Sequence, residues 1–393
     1  MNHIQNINVK KRKVFLRVDF NVPLDEEGRI TDDSRIKAAL PTIKHLVQNG
    51  AQLIVASHLG RPKGKFNPKM SLKPVQKRLS ELLSEEVKMA PDVIGDEVNQ
   101  MRDELQEGQV LFLENLRFYP GEKENDPSFA QKLAQNVNVY VNDAFGTCHR
   151  SHASVTGIPG LVKKKAAGFL IHKELEYLGK AVHSPQKPYV AILGGVKVSD
   201  KIPVIDNLSD KADDVLIGGV MAYTFLSALG YGIGRSRVEE DKKEMALQLL
   251  EKSKNKNIRI HLPSDHVVAP DSESPAQSQT VNSYPLPSDL MALDIGPQTI
   301  KKYSNIISKA KTLFWNGAMG VFEVDAFARG TTEIAKAVAK SPAISIVGGG
   351  DSTSALDKAG VTPRIFHVST GGGASLEFIA KETLPGLEAL KEE

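Results

Sequence analysis

The chain has 393 residues, 41% of them hydrophobic and 25% charged, with a formal net charge of +3. That length exceeds what one core serves and suits two domains, and the composition excludes a disordered chain. The charge is too small to argue for nucleic acid, no apolar run reaches the roughly 20 residues of a membrane span, and the single cysteine, Cys148, excludes a disulfide framework and suits a reducing compartment.

From the N-terminus, MNHIQNINVKKRKVFLRV passes from charges straight into a strand-like run, without the apolar stretch of a secretory signal, so a cytoplasmic protein is expected. In the first half, strands are expected at 13–18, 51–57, 109–114 and 137–142. Ile36, Leu40, Ile43, Leu46 and Val47 mark one helical face that stops at Gly50. LIHKELEYLGKAV then reads as a helix and HSPQKP as a breaker, which puts the join between domains near 170–188. In the second half, strands are expected at 189–193, 214–217, 258–262, 312–315, 343–347 and 365–369. The Pro- and Ser-rich stretch 263–288 lacks periodicity and reads as a functional excursion beside a site. The lysines at 163–165 read as a solvated face. Continuous apolar strands separated by helices indicate parallel sheets covered on both faces, hence α/β with two doubly wound, Rossmann-like lobes.

In such sheets ligands bind beyond the carboxyl ends of the strands. In the first half those ends lead into Asp19 and Asn21, His58 and Arg61, Arg117, and the segment Asp143 to Arg150, with Arg35 opening a helix nearby. One such arginine would pass for a surface ion-pair partner. Arginines gathered at strand exits with a histidine instead suit a small polyanion, because the planar guanidinium binds carboxylate or phosphate bidentately. In the second half the exits are glycine-rich: Gly194-Gly195, Gly218-Gly219, Asn316-Gly317, Gly348-Gly349-Gly350-Asp351 and Thr370-Gly371-Gly372-Gly373. Bare N–H groups at a helix N-terminus bind anions, and glycine lets phosphate approach closely. Asp351 is read as a Mg²⁺ ligand rather than only a helix cap. Lys197 and Lys201, four apart, are expected on one side of a first helical turn. Neither GxxxxGK[ST] nor a strand-linked GxGxxG occurs, and Cys148, His149 and His152 lack zinc-site spacing.

RVDFNVP at 17–23, SHLGRP at 57–62, ENLRF at 114–118, NDAFGTCHRSHAS at 142–154, LGGVKVSDK at 193–201, WNGAMGVFE at 315–323, GGGDS at 348–352 and VSTGGGASLEF at 368–378 resemble the signatures of the phosphoglycerate kinase family, in order and over essentially the whole chain. The resemblance implies reversible phosphoryl transfer between 1,3-bisphosphoglycerate and ADP, giving 3-phosphoglycerate and ATP, by a monomer that uses Mg²⁺. It implies a substrate lobe of 1–169 plus 380–393, an inter-lobe hinge helix at 170–183, and a Mg-nucleotide lobe of 184–379, with lobe closure for transfer. Asp19, Phe20, Asn21, Arg35, His58, Leu59, Gly60, Arg61, Arg117 and Arg150 would hold the glycerate. Lys197, Lys201, Gly218, Gly219, Asn316, Glu323, Gly348, Gly349, Gly350, Asp351 and Thr370 would hold the nucleotide, with Glu323 on the ribose and Asp351 on the metal. Arg35, Lys197, Gly371 and Gly372 would stabilise the moving group. The sequence departs from the family pattern at Val196, Ala292 and Ala318, all expected beside the nucleotide. Two other readings are a kinase of a different small carboxylate and a non-catalytic binding protein. The arginine number and the intact site lysines and aspartate disfavour them.

Overall fold

The computed structural model describes residues 1–208 and 210–392, and the chain divides into two compact units. The first comprises Met1–Glu176 and the chain end from Thr383; the second is Tyr177–Glu382. Glu393, the last residue of the expected 380–393 tail, lies outside the described residues. Among the described residues no helix is long and apolar enough to cross a membrane.

In the first unit the strands are β1 (Lys13–Val18), β2 (Gln52–Ala56), β3 (Val87–Met89), β4 (Val110–Phe112), β5 (Val139–Asp143) and β6 (Lys164–Ala167). They form one parallel sheet in the order β3-β4-β2-β1-β5-β6. Because β1 sits between β2 and β5, the chain winds outward first on one side and then on the other. The crevice that such a reversal opens lies at the carboxyl ends of β1 and β5. The strands are buried because both faces are covered, as the unbroken apolar runs require, and Val14, Leu16, Leu53, Val55, Val110 and Val141 belong to one core. The helix Ser34–Gln48 covers part of it with Ile36, Ile43 and Leu46, and ends where Gly50 takes the left-handed conformation.

Two elements of this unit escaped the sequence reading. β3 is three residues long, and β6 begins inside the lysine run, so Lys164 and Lys165 belong to an edge strand rather than to a merely solvated face. Lysine at an edge discourages pairing with another chain. The chain end returns to this unit, where Gly386 donates its N–H to the Cys148 carbonyl at 2.8 Å and Leu387 and Leu390 are buried.

The second unit holds β7 (Tyr189–Leu193), β8 (Asp214–Ile217), β9 (Arg259–His261), β10 (His266–Ala269), β11 (Gln279–Val281), β12 (Met291–Ile295), β13 (Thr312–Asn316), β14 (Ile344–Val347) and β15 (His367–Val368). Six of them make a parallel sheet in the order β15-β14-β13-β7-β8-β9, and the winding reverses between β7 and β13. The stretch 263–288 is not a bare excursion. It carries β10 and β11, which pair antiparallel with each other, and β10 pairs with β12 in a small separate sheet. Its strands are only four and three residues long, and the Pro- and Ser-rich segments between them hid any periodicity.

The helix Phe169–His183 runs from the first unit into the second. Its start is fixed by the buried carboxylate of Asp143, which accepts the N–H groups of Leu170 at 2.9 Å and Ile171 at 3.3 Å. A Cβ on Gly168 would collide with that carboxylate. Gly168→Ala is therefore expected to lower the unfolding free energy by ~2 kcal/mol. Gly160→Ala, whose Cβ would meet nothing within 4 Å, should change it by less than ~0.5 kcal/mol. Urea unfolding of the two variants checks this; equal effects would contradict the packing described.

Candidate active site

At the carboxyl ends of the first sheet, β1 carries a charged residue that the sequence reading passed over. Arg17 is fully buried, its Nε donates to Ser154 Oγ at 2.8 Å and its Nη2 lies 3.3 Å from His58 Nδ1. Its Nη1 donates to the Val18 carbonyl. Ser154 is in turn held by the buried Glu122, which accepts from the Ser154 hydroxyl at 2.6 Å and from its N–H at 3.0 Å. An arginine inside the otherwise apolar run KVFLRV was the available signal.

Around this pair the sequence-predicted residues converge. Asp19 accepts from Arg35 Nη1 at 2.7 Å, and its other oxygen is 3.8 Å from His58 Nδ1. Asn21 accepts the Gly60 N–H at 2.8 Å, and Arg117 Nη1 donates to the Gly60 carbonyl at 2.6 Å. Phe20 is buried, with its N–H on Ser57 Oγ at 2.9 Å. Leu59 is clasped by Asn115, which accepts its N–H and donates to its carbonyl. Arg150 donates to His149 Nε2 at 3.0 Å. Arg61 is the exception: it is exposed and makes no hydrogen bond or ion pair among the described residues.

The charge balance is what gives this cluster its chemistry. Arg17, Arg35, Arg117 and Arg150 all bear electrostatically on His58, while the nearby carboxylates are Asp19 and Glu122. Burial, followed by those arginines, holds the His58 imidazole well below its ordinary range. Burial, then Arg150 and Arg17, pushes Arg117 down to about 10, and Arg117 Nε is buried without a partner. Four arginines, two of them buried and one with an unmet donor, against two carboxylates favour an anionic ligand. Because Arg17 donates toward Nδ1, neutral His58 carries its proton on Nε2.

At the carboxyl ends of the second sheet, glycine loops pack backbone against backbone. Gly194 donates to the Asn316 carbonyl and Gly195 to that of Ala318, both at 2.9 Å, and Gly219 donates to the Met319 carbonyl at 2.8 Å. Gly219 has φ +67°, and a Cβ there would sit 2.6 Å from the Gly195 nitrogen. No other residue fits. One pocket, of about 310 Å³, is lined by Gly194 to Lys197, Asp200, Lys201, Asn316, Gly317 and Gly349 to Ser352. A second, of about 200 Å³, is lined by apolar groups including Val220, Tyr223, Leu293, Met319 and Phe322, with Asp294, Glu323 and Asp351 as the acidic residues on its wall. Gly195, Val196 and Asp351 belong to both.

Lys201 is buried, bonded to Asn316 Oδ1, and pushed down to about 8 by burial, against the opposing charges of Asp200 and Asp351. Asn316 donates to the Gly348 carbonyl at 2.7 Å, which fixes the loop entering the helix Gly350–Lys358. Lys197 is exposed in the same pocket. Neither lysine lies on a helical turn: the helix starts later, at Ile202–Leu208. The preceding turn is held from outside by Glu239, which accepts the N–H groups of Val198 and Ser199 and the Ser199 hydroxyl. Glu239, which no motif announced, is a further participant, as are Asp200 and Ser352, which lie inside LGGVKVSDK and GGGDS without being singled out there; the Ser352 hydroxyl accepts the Gly317 N–H at 2.6 Å.

Gly349, with φ +100°, is the cap residue of the helix Gly350–Lys358, so Asp351 stands inside the first turn and is exposed to the pocket. Among the described residues no three His, Cys, Asp or Glu side chains are grouped to hold a metal. The pocket carboxylates Asp200 and Asp351, set near lysines, fit magnesium that arrives with phosphates and do not build a protein-only cage. Gly372 (φ +53°) opens the helix Gly373–Lys381, and Gly371 N–H is turned onto Ser369 Oγ at 3.1 Å. Thr370 is half-buried beside it. Val196 is exposed on the rim, Ala292 lines the apolar pocket, and Ala318 contributes the carbonyl that Gly195 binds.

Two doubly wound α/β units, one with a desolvated arginine cluster and one with glycine-lined helix N-termini, define a protein of the kinase class, equipped for two polyanionic ligands. The family model described as phosphoglycerate kinase matches residues 4–382. The chain is 55% identical over 390 residues to a phosphoglycerate kinase of Anaeromyxobacter sp. (strain Fw109-5), covering 99% of this chain and 98% of the relative. It is 54% identical over 392 residues to one from Prosthecochloris aestuarii, covering 99% of each. Among solved structures, phosphoglycerate kinase from Coxiella burnetii superposes with a TM-score of 0.88 at 41% identity, covering 99% of this chain and 98% of that one. The Pyrococcus horikoshii enzyme does so with 0.83 at 37% identity and the same coverage. The chain belongs to the phosphoglycerate kinase family, whose members are phosphotransferases with a carboxyl group as acceptor.

A direct check of the first cluster is the ionisation of His58. Its folded pKa lies below the unfolded value, so the neutral ring contributes stability that is present above the unfolded pKa and lost as pH falls. In a proton NMR titration His58 should take up its proton only well below the ordinary histidine range. Arg117→Met should raise its pKa. Titration at an ordinary histidine value in the parent would contradict the desolvated cluster.

Proposed function

We propose that this chain transfers a phosphoryl group reversibly between 1,3-bisphosphoglycerate and ADP, giving 3-phosphoglycerate and ATP. The observation that carries the reading is the cluster of four arginines around neutral His58, two of them buried, set against the two carboxylates Asp19 and Glu122. A ligand bearing both a phosphate and a carboxylate, with a charge of about −3, meets that excess better than a simple carboxylate would. In this reading Asp19, Asn21, Arg35, His58, Arg117 and Arg150 hold the glycerate, and Arg61 reaches in from the surface. The backbone at Phe20, Leu59 and Gly60 shapes the floor.

The nucleotide's base would occupy the apolar pocket beside Gly218 and Gly219, with Glu323 on the ribose. Its phosphates would meet Lys201, Asn316, and the N–H groups at Gly348 to Asp351. Thr370, Gly371 and Gly372 would serve the same end of the sheet. Asp351 would hold Mg²⁺, which when bound offsets phosphate charge that the lysines alone leave uncompensated. Phosphoryl transfer then needs alignment and charge neutralisation rather than a general base, since the acceptor is already an anionic oxygen. Arg35 and Lys197 are the cations assigned to the moving group. Lys197 suits this because it is exposed in the pocket, whereas Lys201 is tied to Asn316. The lone, buried Cys148 accords with a reducing, cytoplasmic setting.

A coupled assay with ATP and 3-phosphoglycerate, set against acetate and aspartate, tests the reading. Turnover with 3-phosphoglycerate alone is expected; turnover of acetate or aspartate at a comparable rate would overturn the substrate assignment. Lys197→Ala should lower kcat by about a hundredfold, as for loss of a transition-state contact, with a smaller change in KM for ATP. A raised KM with kcat intact would make Lys197 a ground-state anchor instead.

A further inference from the structure

Behind the apolar pocket lies a buried polar chain that the reaction does not use. His266 on β10 is completely buried and sits between two phenols: Tyr223 Oη is 2.8 Å from its Nδ1, and Tyr284 Oη is 2.7 Å from its Nε2. The Tyr284 hydroxyl also lies 3.3 Å from the Pro263 carbonyl, the acceptor for its proton. Tyr284 therefore accepts from Nε2–H and Tyr223 donates to Nδ1, so every member of the chain has a partner. Burial pushes His266 down to about 4, so the ring stays neutral and the order of donors and acceptors holds at any ordinary pH.

The two ends of this chain differ. Tyr284 packs at 4.5 Å between ring centroids against Tyr231, which is exposed at the surface. Tyr223 lies on the helix Met221–Ala228, just after Gly218-Gly219, and its ring is part of the pocket wall. His266 also pairs across the small sheet with Ile295, one residue beyond the wall segment Ala292 to Asp294. The histidine thus ties together the two elements that bound one pocket. A leucine or phenylalanine would fill the same space without polar atoms to satisfy, so packing alone does not call for this trio. A fully satisfied buried network instead fixes orientation.

We propose that His266 is a positioning residue: gripped between the Tyr223 and Tyr284 hydroxyls, it locks the Tyr223 ring in the pocket wall and so sets the affinity for a nucleotide's base. The proposal rests on the reading of that pocket as the nucleotide site. It assigns His266 no contact with the ligand and no part in the chemistry.

The test is calorimetric binding of ADP and, separately, of 3-phosphoglycerate to the full-length protein. His266→Leu and Tyr223→Phe should each weaken ADP about fivefold, the consequence of losing the Tyr223–His266 hydrogen bond that both remove. The double variant should be no weaker than either single one, because both break the same link. His266→Gln, which keeps a donor and an acceptor, should recover most of the loss, and 3-phosphoglycerate affinity should be unchanged throughout. Val196→Trp, placed on the exposed rim shared by both pockets, is the control for the site itself and should block ADP. If Val196→Trp blocks ADP while Tyr223→Phe and His266→Leu bind it normally, the positioning role is overturned and the nucleotide site stands. If Val196→Trp leaves ADP binding intact, the nucleotide reading of the pocket fails and the proposal falls with it. Additive losses in the double variant, or parallel loss of 3-phosphoglycerate, would reduce the trio to a structural support and overturn the proposal.

Discussion

Positive charge held out of water is the constraint on which the first unit turns. Arg17 is fully buried and Arg117 nearly so, and each would be costly without acceptors. The fold supplies some of them: Ser154 and the Val18 carbonyl for Arg17, the Gly60 carbonyl for Arg117, and the Asp19 carboxylate for Arg35. Glu122 anchors the network from below through Ser154. The supply stops short of neutrality, and burial, reinforced by the arginines' field, keeps His58 uncharged. Stability is thereby exchanged for affinity, because an anion that completes the balance gains what the apo cluster lacks.

The second unit solves the complementary problem with close approach instead of charge. Gly194, Gly195, Gly219 and Gly317 bring three strand exits into backbone contact, in conformations or spaces that admit no side chain. The result is a floor of peptide groups and a helix N-terminus at Gly349, where phosphate oxygens can be met by N–H donors without displacing bulky groups. Among the described residues Lys201 is the one buried cation on this floor, and its weakened hold on its proton marks the desolvation that an anion would relieve.

Much of this was legible in the sequence because buried parallel strands are continuously apolar, and the residues just past their ends are polar or glycine. That rule located ten of the strands and the polar or glycine-rich segments at their carboxyl ends. It missed β3 and β6, which are short or lysine-bearing, and β10 to β12, which are short and separated by segments rich in serine and proline. It also missed residues whose role depends on distant partners. Arg17 and Glu122 are 105 positions apart in the chain and meet only through Ser154. Glu239 holds the Val198 turn from about 40 residues away, and so the lysines there precede the helix rather than riding on it. Arg61, by contrast, carries the right motif yet stands exposed; motif membership does not place a side chain.

The central claim is a division of labour: buried arginines for the phosphorylated carboxylate, glycine floor and Lys201 for the nucleotide. Isothermal titration calorimetry of 3-phosphoglycerate and of Mg-ADP against Arg117→Ala and Lys201→Ala measures it most directly. The account predicts that Arg117→Ala loses 3-phosphoglycerate and keeps Mg-ADP, and that Lys201→Ala does the reverse. Loss of both ligands in equal measure by either variant, with the fold intact by circular dichroism, would contradict it.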